Sequence, residues 1–231
     1  MEIAGVAGAG KSTLARAIRI AQPTCRFAGP FEVRKIGHLP FMLHNLPRLV
    51  PIAAGNLRTG RSLTWTEIKL LVYTMEWPRY LARRKEYRDA VTFIDQGPTY
   101  ALATLGVAEV PVVGCEPLGK WWSAAVKTWS TKLDAIVWLD APDSVLWERI
   151  NQREQPHLIK GQPVEVGYRF MATYRRCFDQ VIESMALTDG PRILRYDTST
   201  RSTEEILAEV SDQLATALGR GKGAEQDRDL G

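Results

Sequence analysis

The chain opens on a short apolar run, "EIAGV", whose pattern reads as the end of a strand. After a stretch of small residues, "KSTLARAIRIA" carries Leu14, Ala17, Ile18 and Ala21 at helical spacing. "TCRFAGP" predicts a short second strand. Residues 38–62 are punctuated by Pro40, Pro47, Pro51, Gly55 and Gly60, which predicts short helices and loops. "TWTEIKLLVYTMEW" restores the helical period through Ile68, Leu71, Val72 and Met75. Thr64 or Thr66 is available as its cap, and Pro78 is expected to kink or split it. "AVTFID" is a compact apolar strand that ends on Asp95 and is broken by Gly97-Pro98.

The second half repeats the alternation. "TYALATLG" begins a helix, and "GKWWSAAVKTWSTKLD" is helical and rich in tryptophan. "AIVWLD" is a strand of the fully buried type, and "PDSVLWERINQRE" is a helix with Pro142 near its start. "VEVGYRFMATYRRCFDQVIESMA" reads as a long amphipathic helix. "RILRYD" is the last strand and "STEEILAEVSDQLATAL" the last helix, opened by a capping box between Ser202 and Glu205. Residues 219–231 are polar and glycine-rich and read as a disordered tail, which leaves 1–218 as a single domain. Strands alternating with helices predict an α/β layered fold with a parallel sheet. Such sheets bind ligands at the carboxyl ends of their strands. The Gly5 end of "EIAG" and the Asp95 end of "TFID" are therefore expected on one edge.

The stretch between the first strand and helix carries the chemistry. Gly5, Gly8, Gly10, Lys11 and Ser12 fit G-x-x-x-x-G-K-[ST], the phosphate-binding P-loop pattern, with Ala9 and Thr13 inside the same turn. Glycine tolerates positive φ and lets backbone approach a ligand. Successive N–H groups of such a turn form an anion nest, and a helix N-terminus adds partial positive charge. In this pattern Lys11 reaches the β- and γ-phosphates and the Ser12 hydroxyl ligates Mg²⁺. The fold expected is a three-layer P-loop NTPase fold with ATP and Mg²⁺ as cofactors.

Composition narrows the setting. No stretch approaches the roughly 20 apolar residues of a membrane helix, and no signal peptide is expected before residue 30. Cys25, Cys115 and Cys177 are far apart with no C-x-x-C spacing, which suits a reducing cytosol and gives no metal-site pattern. A net charge of +4 is compatible with anionic ligands and is not by itself a sign of nucleic acid. The dense "RYLARRKEYR" at 79–88 fits a solvated helix face, with a phosphate-facing role as the alternative.

Among P-loop classes, a GTPase needs [NT]-K-x-D beyond a strand. "TKLD" at 131–134 matches the string but precedes "AIVWLD", so Lys132 and Asp134 are expected at the wrong edge of the sheet. "DQGP" also lacks the spacing of D-x-x-G. A transport-type ATPase would need a longer chain. Three stretches favour a kinase. Asp95 at a strand tip can hold Mg²⁺ or deprotonate an acceptor, or can merely cap the next helix. Arg149 and Arg153 lie four residues apart, so on one helix they share a face and could clamp a phosphoryl group, with His157 and Lys160 in the following loop. "RYDTSTRSTEEI" forms a polar loop that could border a nucleotide base.

The ordered set "GVAGAGKST", "FIDQGP", "VWLDAPDSVLWERINQRE" and "YDTSTRSTEEI" resembles the nucleoside and nucleoside-monophosphate kinases, among them adenylate, thymidylate and deoxynucleoside kinases. The resemblance implies an ATP-dependent small-molecule kinase with a helical acceptor-side region at 30–90 and a mobile lid at 149–163. It implies that Arg149 and Arg153 are lid-side clamps and that Asp197 to Thr200, Asp197 and Thr198 first, lie near adenine. Gln96 departs from the arginine that many relatives carry after the acidic residue, which turns the expectation away from a standard nucleotide acceptor. A nucleoside or nucleotide is slightly favoured as acceptor. A sugar, an antibiotic, a lipid-linked alcohol or a non-enzymatic nucleotide switch remain alternatives. Arg58, Arg61, Trp65, Trp77 and Arg79, or Trp121 and Trp122, are candidates for the acceptor side, and Glu32 is a second candidate base. The expected partner is a small-molecule acceptor, with a homodimer open and neither nucleic-acid polymer nor membrane insertion expected. The expected location is cytoplasmic.

Overall fold

Strands β1 (Glu2–Gly5), β2 (Arg26–Ala28), β3 (Thr92–Asp95), β4 (Ala135–Asp140) and β5 (Arg192–Asp197) form one parallel sheet in the order β2-β3-β1-β4-β5. The computed structural model describes residues 1–28, 39–58, 60–83, 87, 90–108, 116–187 and 190–226. Its helices are α1 (Lys11–Ala21), α2 (Leu39–Arg58), α3 (Trp65–Arg83), α4 (Pro98–Val107), α5 (Glu116–Ser130), α6 (Asp143–Gln152), α7 (Val164–Ala186) and α8 (Thr203–Gln226). No helix among the described residues is long and apolar enough to cross a membrane.

Burial follows position in the sheet. Central β1 is buried along its whole length, and β4 is buried up to Asp140. Strands covered on both faces read as continuous apolar runs, as "AIVWLD" does. Edge strand β5 instead alternates, with Arg192, Arg195 and Asp197 exposed. α1 packs with α8, α4 packs with α7, and β1 touches both α1 and α4, so two helical layers enclose the sheet. The main core joins Ile3, Ile18, Phe93, Val137, Leu139 and Phe178.

Two expectations about proline change. The run at 38–62 is not a set of short pieces: α2 is one helix through Pro47 and Pro51. Each interior proline costs about 3 kcal/mol of helix propensity. Packing offsets this, because Ile52 joins Leu71, Leu105 and Leu118 in a second buried cluster. Pro78 likewise does not split α3. A proline leaves the carbonyl four residues earlier without its helical donor. That carbonyl belongs to Thr74, and the Trp129 indole N–H donates to it at 2.9 Å. The indole replaces the bond that Pro78 removes.

The caps agree with the sequence. The Thr64 hydroxyl accepts from the Glu67 N–H at 3.3 Å, while Glu67 accepts from the Thr64 N–H at 2.8 Å. Ser202 and Glu205 form the same reciprocal pair. α8 continues to Gln226, so the glycine-rich run beginning at 219 enters the helix instead of starting a tail. Residues 227–231 lie outside the described residues, as does Glu32.

Candidate active site

The register pairs Ile3 with Asp95 across β1 and β3, and Gly5 with Leu139 across β1 and β4. The P-loop and the tip of β3 thus emerge from the same edge, as the sequence predicts. The P-loop needs its glycines. A Cβ on Gly5 would lie 2.2 Å from the Leu139 carbonyl oxygen, so the neighbouring strand forbids any side chain there. Gly8 and Gly10 take φ of 89° and 85°, a region that side chains disfavour. Gly10 in this left-handed state ends the turn and opens α1, whose first residues are Lys11, Ser12 and Thr13. Ala9 is buried in the turn, and its N–H donates to the Val6 carbonyl at 3.3 Å.

Lys11 folds back over this turn. Its ammonium donates to the carbonyls of Gly5 and Val6, both at 2.9 Å. Burial holds its pKa down to about 8, against the pull of Asp95, and the positive charge of Arg153 adds to the depression. Asp95 and Arg153 therefore both act on Lys11. Ser12 is exposed in the first turn of α1, which starts at the edge where β1 ends. A hydroxyl and a carboxylate suit Mg²⁺, which takes one or two protein oxygens and keeps its waters. Among the described residues no three of His, Cys, Asp and Glu gather as a metal cage.

The two arginines separate. α6 ends at Gln152, and Arg153 is already extended, with φ −68° and ψ 145°. They therefore do not share a helix face. Arg149 donates to the Thr198 hydroxyl and to the Thr198 carbonyl, each at 2.8 Å, and reaches the Gly8 carbonyl at 3.5 Å. It stitches the loop after β5 to the P-loop. The Thr198 N–H and hydroxyl both donate to the Asp140 carbonyl, which fixes the far side of that loop. Asp197 accepts from the Ser199 N–H and hydroxyl, and these bonds hold its carboxyl below the usual range. Arg153 stays exposed, and Lys160 donates to its carbonyl. His157, half-buried edge-on against Phe170, has its pKa lowered by burial and then by Arg153 and Lys11. The loop after α6 thus bends back toward the P-loop.

The acceptor-side candidates scatter. Trp77 is core, stacked on Tyr80 and tilted against Tyr73. Arg61 is bound to Glu67 and to the Ala108 carbonyl, so it secures the start of α3. Arg79 pairs with buried Glu76 at 3.3 Å and meets His44 at 2.9 Å. Arg58 and Trp65 are exposed. Trp121 and Trp122 meet edge-on and pack against both buried clusters. Sequence reading missed Glu2 and Tyr73. Glu2 is fully buried in β1, and Tyr73 is a buried phenol whose pKa is raised by burial and by the charges of Glu2 and Asp95. A charged residue inside an apolar strand was the one available signal for Glu2.

No family model and no curated protein matches this chain. Solved structures do. The chain superposes on thymidylate kinase from Candida albicans with a TM-score of 0.56 at 13% identity, covering 94% of this chain and 90% of that one. It matches deoxyadenosine kinase from M. mycoides with bound dATP at a TM-score of 0.53 and 13% identity, covering 93% and 98%. It matches the YorR protein of Bacillus subtilis, in complex with phosphorylated GDP, at 0.53 and 14%, covering 94% and 96%. The chain has the fold of the nucleoside and nucleotide kinases. The agreement spans nearly the full length of each chain.

Proposed function

We propose that the protein is an ATP- and Mg²⁺-dependent phosphotransferase that moves the γ-phosphoryl group to a hydroxyl or phosphate of a small molecule, with a nucleoside or nucleotide favoured. The observation that carries this is the convergence of Lys11 and Asp95 at the mouth of the glycine turn. The turn's N–H groups and the α1 N-terminus bind the β- and γ-phosphates. Lys11 leaves its carbonyl partners to meet the charge that grows on the transferring group, and Arg153, whose charge already reaches Lys11, adds to it. The new bond joins the acceptor oxygen to the γ-phosphorus as the bridge to the β-phosphate breaks. Where the acceptor is a hydroxyl, its proton passes to a base, for which Asp95 and Glu32 are the candidates. Ser12 and Asp95 would hold Mg²⁺, which neutralises phosphate oxygens when bound. Thr198 and its neighbours, drawn to the P-loop by Arg149, border the base of the nucleotide.

The test offers ATP and Mg²⁺ with separate pools of nucleosides, nucleoside monophosphates, sugars and hydroxylated antibiotics, following ADP release and product mass. Lys11→Ala should lower kcat by about a hundredfold or more while the protein stays folded. Near-normal turnover in that variant would sink the P-loop reading. Product confined to the sugar or antibiotic pools would keep the reaction and change the acceptor. No product in any pool, with nucleotide-dependent binding to a protein, would favour a switch.

A further inference from the structure

The turn that delivers Asp95 is strained, and its support comes from the first strand. Gln96 has φ of 52°, the one non-glycine residue in the left-handed region among the described residues. Such a residue costs about 1–2 kcal/mol and persists where its surroundings determine it. Gly97 follows in extended geometry, with φ −79° and ψ −158°, open to any residue on backbone grounds. Yet a Cβ on Gly97 would lie 2.7 Å from the Glu2 carboxyl carbon, and all three of its nearest atoms belong to Glu2. The side chain of Glu2 is what requires glycine there. The same carboxylate caps α4 across the sheet. One oxygen accepts from the Thr99 N–H at 3.0 Å and the Thr99 hydroxyl at 2.6 Å, and the other accepts from the Tyr100 N–H at 3.1 Å. Gly97 and Pro98 offer no side-chain cap of their own.

We infer that Glu2 is a positioning residue for phosphoryl transfer: wedged beneath Gly97 and bonded to the first turn of α4, its carboxylate fixes the turn in which β3 presents Asp95 to Lys11. The role in transfer rests on the phosphotransferase reading above, whereas the contacts themselves do not. The groups that face Glu2 are the Met1 ammonium at its own strand end, Thr99 and Tyr100 from α4, and the Tyr73 phenol from α3, which also feels Asp95. Burial raises the Glu2 pKa to about 7, against the lowering effect of Thr99, Tyr100 and Met1. Below that pH the carboxyl takes up a proton, and one oxygen turns from acceptor to donor against the helix amides. The turn then loses part of its support, so kcat falls toward acid. Stability moves the other way. Between the ordinary value of 4.5 and about 7 the folded chain holds more proton at Glu2 than the unfolded chain, so stability from this group is lost as pH rises through that window.

The experiment uses Glu2→Gln, Gly97→Ala and the Glu2→Ala/Gly97→Ala pair in the full chain. Three readouts are followed: kcat between about pH 5.5 and 8.5, ATP affinity with and without Mg²⁺ by calorimetry, and thermal unfolding. Glu2→Gln should bind metal-free ATP within about twofold of the parent, lose the gain in affinity from Mg²⁺, lower kcat roughly tenfold at alkaline pH and abolish the acid limb near pH 7. Gly97→Ala should lower kcat roughly tenfold in the parent and no more than about twofold in the Glu2→Ala background, where its obstacle is gone. A Glu2→Gln variant with parental rate, acid limb and Mg²⁺ response overturns the inference and leaves the phosphotransferase intact. An equal penalty for Gly97→Ala in both backgrounds also overturns it. If the parent protein phosphorylates nothing, the phosphotransferase fails, and loss of the Mg²⁺ response in Glu2→Gln still supports the positioning of Asp95.

Discussion

Lys11 shows how a single side chain reports on the state of the site. Its ammonium is enclosed over the Gly5 and Val6 carbonyls, and its pKa stands near 8 in place of 10.5. A bound triphosphate brings several negative charges to the same spot and restores the ammonium. Nucleotide binding should therefore take up a proton above about pH 8, and ATP affinity should fall as pH rises through that value. Calorimetry in two buffers of different ionisation heat reads the proton directly, and Lys11→Met should abolish the uptake. The free protein has the opposite trend. Between about 8 and 10.5 the folded chain holds less proton at Lys11 than the unfolded chain, so this group's contribution to stability improves as pH rises. A binding curve that is flat from pH 7 to 10 would mean that Lys11 does not meet phosphate.

At the scale of elements, α6 and the loop after it divide labour that one helix face would have combined. Arg149, on the helix, spends both terminal guanidinium nitrogens on Thr198 and Gly8. Arg153, beyond the helix, is exposed beside Lys11's field. Arg149→Ala should raise the KM for ATP about tenfold and cost about 1–2 kcal/mol of stability, since it frees Thr198 acceptors and unpins the base-side loop. Arg149→Lys should not restore the fork of bonds. Arg153→Ala should instead lower kcat by at least about tenfold with little change in either KM, the signature of an interaction made in the transition state. Kinetics and thermal unfolding of the two variants side by side distinguish the roles. Identical effects of the two substitutions would restore the shared clamp that the i, i+4 spacing suggested.

Over the whole molecule, the strand order β2-β3-β1-β4-β5 decides which loops meet. The carboxyl edge gathers the P-loop, Asp95, Arg149 and Thr198, although they are spread over most of the chain. Asp134 lies at the other edge. Its carbonyl accepts from the Arg192 N–H at the start of β5, and its charge acts on the Met1 ammonium at the start of β1. The "TKLD" string therefore cannot read a base held at the P-loop. Asp134→Ala should leave the preference between ATP and GTP unchanged in a competition assay. A GTP preference that vanishes with Asp134→Ala would require a different topology.

Local sequence determined what depends on local physics. The P-loop, the capping box at Ser202 and the order of strands and helices were legible because each is set by neighbours a few residues apart, through φ preferences, cap hydrogen bonds and hydrophobic period. Asp95 at a strand tip was legible for the same reason. What tertiary structure decided are the contacts made across the sheet. Nothing near Pro78 reveals that the Trp129 indole will take the place of a missing amide. Nothing near Pro47 and Pro51 reveals the cluster around Ile52 that keeps α2 whole. Glu2 and Gly97 are nearly a hundred positions apart, and only the pairing of β1 with β3 brings a carboxylate under that glycine. Arg149 and Arg153 match on spacing alone. The end of α6 at Gln152 and the arrival of Thr198 from β5 then send one to hold the site and the other to face it.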